Sequence, residues 1–193
     1  MFADPGHEIV TAGAVLRNVS IHVRGSSNRI VIAAQARVSN LDIRMDGAGH
    51  ELLIGSHVGV HAGAIEFYDD GCRLSIGERT TIFGASFGLT EGASISVGET
   101  CLLSVEVDVR NGDSHSIVDA ATAERLNPAA DVTIGDHVWL GKRVMVLKGS
   151  RIGAHTVVGA GSIVNGELPD HCIAVGSPAR AVADGVSWLA ERI

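Results

Sequence analysis

Residues 113–117 read Asp-Ser-His-Ser-Ile, and they lie in a polar stretch, 110–131, with no apolar periodicity. The chain has nine histidines. Most of them fall among repeated turns: His57 and His61 flank one turn unit, and His137 and His155 occupy turn positions, where an imidazole is ordinarily a solvated corner residue. His115 differs because it stands in the one interruption of the pattern, and loops carried by a rigid scaffold are where catalytic residues concentrate. An imidazole titrates near pH ~6.5 and suits the abstraction of a hydroxyl proton at neutral pH. Asp113, Glu106 or Asp108 would orient the ring. The run Asp113-Ser114-His115 is not a serine-hydrolase triad, whose members converge from separate segments around a nucleophile elbow. His57 and His61 have a helical metal-ligand spacing inside a β-type repeat, so no metal site is expected.

A tryptophan and the cysteines add further signals. Trp139 occupies a turn slot that small or polar residues usually fill, and its bland role would be packing against a neighbouring subunit. Cys72, Cys101 and Cys172 are odd in number and widely spaced, which suits reduced packing residues in a cytoplasmic protein.

These residues need a scaffold, and composition limits what it can be. The 193 residues suffice for one domain with a sizeable core; 46% are hydrophobic and 19% charged, which excludes a disordered chain. Aromatics make up only 4%, while glycine reaches 24 residues. Small aliphatic residues with frequent glycine imply a narrow repetitive core with many tight turns. The net charge is −7, with no basic run, which argues against nucleic-acid binding. No stretch approaches the ~20 apolar residues of a membrane span. The first eight residues have neither the basic nor the apolar segment of a signal peptide.

The repeat itself is plainest toward the C-terminus. Ile134, Leu140, Val146, Ile152, Val158 and Val164 recur every six residues, and glycine follows four of them. Four places after each apolar residue comes a small or β-branched one, as at Val138, Val144, Ser150, Thr156 and Ser162. Neither a helix nor an ordinary strand has this period. It fits a solenoid of three flat sides, with 18 residues to a coil. Upstream, the pairs Ile30/Ile32, Leu52/Ile54, Leu74/Ile76 and Ile95/Val97 recur at 22, 22 and 21 residues, so those coils have an enlarged corner. The next step, 37 residues to Val132/Ile134, is two coils' worth if one side gives way to a loop. Val19, Ile21 and Val23 alternate like a strand, so residues 1–29 form an irregular first coil. Residues 181–193 lose the period and form a short helical cap over the open end.

The run from Ile134 to Gly141, the segments Gly159-Ala160-Gly161-Ser162 and Val175-Gly176-Ser177-Pro178-Ala179-Arg180, and Asp113-Ser114-His115-Ser116-Ile117 together resemble the hexapeptide-repeat acyltransferases. Within that family they are similar to the bacterial capsular polysaccharide and sialic acid O-acetyltransferases. The resemblance is strong from about residue 97 onward and only repeat-like before it. It implies an all-β, left-handed parallel β-helix forming a single domain, with the loop at 110–131 extruded; the periodicity alone gives a solenoid of unassigned hand. It implies acetyl-CoA as co-substrate, no metal, and transfer of acetyl to a sugar hydroxyl, with His115 as general base. Trp139 would line the donor site, and the Gly141 amide would lie near the thioester carbonyl. Pantetheine would run past Gly141, Ala160 and Ser162. Lys148, Pro178 and Arg180 would meet the nucleotide end, with Lys142 and Arg151 further candidates for its phosphates, against the ordinary alternative of solvated surface charge. A homotrimer with sites between subunits is implied as well. Two rivals stand beside this reading: an acetyltransferase for a small xenobiotic or amino sugar, and a non-catalytic solenoid that serves assembly.

Overall fold

The computed structural model describes residues 2–3 and 6–193; Met1, Asp4 and Pro5, part of the expected first coil, lie outside the described residues. All six members of the Ile134–Val164 series are buried, and so are the five small or β-branched partners four places on. Each short strand turns one or two side chains inward and the rest outward, as strand alternation requires. The core is therefore a single column of Val, Ile and Leu, with Phe67 and Phe87 its aromatic members.

Among the described residues, the coil has three faces. One is an eight-stranded parallel sheet running from Glu8–Val10 through Ser94–Val97 and Val132–Ile134 to Glu167–Leu168. The other two are ladders of one larger sheet, joined where the twelve-residue strands Val15–Ser26 and Arg37–Ala48 bend around a corner. One ladder contains Gly59–Val60, Thr81–Ile82, Leu102–Leu103, Trp139–Leu140, Val157–Val158 and Cys172–Gly176; we call it the Trp139 face. The other contains Gly63–Phe67, Ala85–Leu89, Val107–Arg110, Met145–Val146 and Ile163–Val164; we call it the Arg110 face.

Two expectations need correction. Ile95, Ser96 and Val97 pair directly with Val132, Thr133 and Ile134, so the 37-residue step is one coil carrying an inserted loop, not two coils. The terminal helix does not form either. Ala179–Asp184 is a strand, antiparallel to Cys172–Gly176, because the last parallel strand leaves an open edge whose N–H and C=O groups a returning strand satisfies. Residues 185–193 contain no helix.

The three cysteines are free and buried at coil corners. Burial pushes the Cys101 thiol up to about 11, so it is a packing group rather than a nucleophile. Among the described residues, no helix is long and apolar enough to cross a membrane.

Candidate active site

The loop carrying His115 leaves the Arg110 face at Asn111 and rejoins the eight-stranded sheet at Val132. Its base is fastened by polar groups because it has little apolar surface to bury. Asn127 is nearly fully buried. Its side-chain amide donates to Asp113 Oδ2 and to the His115 carbonyl, both at 2.8 Å, and its Oδ1 accepts the Ile117 N–H at 2.6 Å. Lys148 Nζ reaches Asp113 Oδ2 at 2.5 Å and the carbonyls of Asn127 and Pro128 at 3.0 and 3.2 Å. The Lys148 ammonium, then the Asn127 amide, hold the Asp113 carboxyl below the usual carboxylate range. Farther out, Arg125 grips both oxygens of Glu91 (3.0 and 2.5 Å), and Asp119 Oδ1 accepts the N–H groups of Ala121 and Thr122 at 2.8 Å.

Held this way, His115 is fixed by its backbone while its imidazole is exposed and has no hydrogen-bond partner among the described residues. The three candidate orienting acids are engaged elsewhere: Asp113 with Lys148, Asp108 with Arg110, and Glu106 with Lys142 and Arg143. Ser114 and Ser116, on either side of His115, line a cleft of about 580 Å³ whose other walls include Tyr68, Thr90, Arg110 and Arg125. That volume lies within the range of small-molecule sites.

The residues expected on the donor side lie on another face. Trp139, 38% exposed, projects from its ladder beside Trp188, with ring centroids 6.0 Å apart. Trp188 stacks on His137 at 4.4 Å and donates its indole N–H to the His137 carbonyl at 2.7 Å, so residues 185–193 are pinned against the corner that precedes Trp139. Sequence reasoning missed Trp188; its rarity in a chain with so few aromatics was the available signal. The row of Gly141 continues through Gly159 and Val175 to Arg180, three strand spacings or roughly 14 Å along the axis. Arg180 is exposed and forms no ion pair among the described residues. Pro178 is exposed in the turn before it.

Three expected groups are committed to the scaffold. The Gly141 N–H donates to Val158 O at 2.8 Å. A Cβ there would sit 2.7 Å from Ala160 N, so coil stacking by itself requires a glycine at this position. The Ser162 hydroxyl is buried and accepts the Gly176 N–H at 3.1 Å. Lys148 belongs to the loop base. At this corner, the N–H groups with no partner among the described residues are those of Lys142 and Ala160.

The candidate residues thus fall into two groups: His115 at the edge of the Arg110 face, and Trp139, Ala160 and Arg180 on the Trp139 face. No group of three or more His, Cys, Asp or Glu side chains suited to a metal occurs among the described residues.

Comparison with known proteins gives this arrangement a context. Residues 131–166 match the family described as bacterial transferase hexapeptide (six repeats). The chain is 31% identical over 140 residues to the polysialic acid O-acetyltransferase of Neisseria meningitidis, covering 72% of this chain and 65% of that protein. It is 33% identical over 119 residues to the polysialic acid O-acetyltransferase of Escherichia coli O1:K1 / APEC, covering 61% and 38%. It thus spans less than two thirds of the length of either relative. A solved polysialic acid O-acetyltransferase structure superposes over 99% of this chain and 90% of that one, at 28% identity and a TM-score of 0.94. The coil is a left-handed parallel β-helix.

Proposed function

The chain belongs to the hexapeptide-repeat acyltransferase family, near its polysaccharide O-acetyltransferases, and from that premise we propose that it moves acetyl from acetyl-CoA to a sugar hydroxyl on a bacterial surface polysaccharide. The observation that carries the reading is the His115 imidazole, exposed and unpartnered on a loop whose base is fastened by Asn127 and Lys148.

His115 accepts the acceptor hydroxyl proton as that oxygen attacks the thioester carbonyl. Charge develops on the carbonyl oxygen, and the partnerless N–H of Ala160 or Lys142 is available to meet it. Collapse of the tetrahedral species breaks the C–S bond. The departing thiolate takes the proton from His115, leaving an acetyl ester and CoA. Trp139 would cover the reacting thioester, pantetheine would follow the Gly141–Ala160 edge, and Pro178 and Arg180 would meet the nucleotide.

The two half-sites lie on different faces of one narrow coil, so a complete site requires a neighbouring copy, and a homotrimer supplies three equivalent ones. The loop has apolar side chains suited to such a contact: Ile117, Val118 and Leu126 are 58%, 49% and 61% exposed. His115→Ala tests the reading: turnover should fall while acetyl-CoA binding persists, and near-normal turnover would refute it.

A further inference from the structure

We infer that the cleft beside His115 takes a neutral glycan and discriminates against polyanionic acceptors. The inference rests on the transferase reading for the identity of the bound acceptor, and its argument comes from charge and geometry within the cleft.

Four charged residues line the cleft: the carboxylates Asp69 and Glu91 and the guanidinium groups Arg110 and Arg125, for a formal sum of zero. Each cation has a carboxylate partner. Arg125 is bidentate to Glu91, and Arg110 directs Nε to both oxygens of Asp108, at 3.0 and 3.3 Å. Asp69 is held in its ionised form by the Thr90 hydroxyl, then by the Glu91 N–H. A polyanion entering here would meet no uncompensated positive charge, and it would face the carboxylates of Asp69 and Glu91. The chain as a whole, at −7, adds repulsion.

The same groups suit uncharged hydroxyls. With Nε fixed, the two η nitrogens of Arg110 have no hydrogen-bond partner among the described residues and offer parallel donors. Their position depends on Gly88, the strand partner of Arg110, since a Cβ at Gly88 would lie 2.5 Å from Nη1. Tyr68 is 45% exposed on the same wall and presents an aromatic surface to the apolar side of a sugar ring. Ser114 and Ser116 add hydroxyls beside the base.

The test is binding of the full chain to neutral hexose and N-acetylhexosamine oligosaccharides and to polysialic acid, at low and moderate salt, with acetyl-CoA transfer measured in parallel. Neutral oligosaccharides should bind at least about tenfold more tightly than polysialic acid, with affinity nearly unaffected by salt. Gly88→Ala, which pushes the guanidinium aside without removing charge, and Tyr68→Ala should each weaken that binding about tenfold and leave acetyl-CoA affinity unchanged. Tighter, salt-sensitive binding of polysialic acid would overturn the inference. So would failure of every neutral glycan to bind, or binding indifferent to both substitutions. A neutral glycan that binds in this manner but is not acetylated would count against the transferase reading and leave the acceptor class standing.

Discussion

The N-terminal and C-terminal coils share one core but differ in what their corners contain. From Ile32 to Val97 the coils take 22, 22 and 21 residues, whereas Ile134 to Ile152 takes 18. The extra residues lengthen Gly63–Phe67 and Ala85–Leu89 to five residues each and enlarge the following corners, where Tyr68, Asp69, Thr90 and Glu91 stand. The last two strands on the same ladder, Met145–Val146 and Ile163–Val164, have two residues each and leave no room for such a wall. The residues that blur the six-residue period are thus the ones that build the cleft beside His115, the proposed acceptor site. The strict repeats carry Trp139 and the stacked edge past Gly141 and Ala160. On the proposed reading, irregularity marks the acceptor side and regularity the donor side.

That division can be broken at several points. His115→Ala removes the proposed base and should lower kcat by ~10²–10⁴-fold, with acetyl-CoA affinity intact. In the enlarged coils, Phe67 is fully buried, and Phe67→Ala should destabilise by about 3–5 kcal/mol; in the tight coils, Leu140→Ala should cost about 2–5 kcal/mol. Similar losses in denaturant unfolding would show one continuous core beneath two kinds of corner.

The loop base gives a smaller effect with a defined pH dependence. Lys148→Ala should lower kcat about tenfold by loosening His115, while global stability changes little. The folded-state pKa of Asp113 is depressed, so its anchoring contribution is present above the ordinary carboxylate value of ~3.9 and is lost as pH falls through the lower folded value. Loop order, followed by hydrogen exchange of the Ile117 N–H, should therefore be flat from pH 5 to 8. A step within that range would assign the anchor to another group. The smallest effect concerns the donor edge. Arg180→Ala should weaken CoA severalfold and dephospho-CoA less, since only CoA has the 3′-phosphate; equal losses would indicate a packing role.

Much of this was legible in the sequence, for identifiable reasons. Each coil face needs an inward apolar residue, so Ile134 through Val164 announce the solenoid, and the same rule locates the loop where they stop. Register is a different matter. Thirty-seven residues fit two coils as well as one coil plus a loop, and only the pairing of Val97 with Ile134 decides. The returning strand Ala179–Asp184 depends on an open edge that local residue preferences do not reveal. Lys148 stands where a nucleotide-binding cation would be expected, yet it is drawn to Asp113 35 residues away, a contact without local signature. The Gly141 amide was expected at the thioester, but stacking of adjacent coils commits it to Val158 and leaves Ala160 N–H free.

The central claim is that each working site joins the His115 loop of one copy to the Trp139 face of another. Its most direct measurement is activity after inactive His115→Ala chains and inactive Trp139→Ala chains are dissociated, mixed in equal amounts and reassembled. Random mixing should leave about one site in four with both residues intact, and activity should return to about that fraction of wild type. No recovery in assemblies verified to contain both chains, or full activity in an isolated single chain, would contradict it.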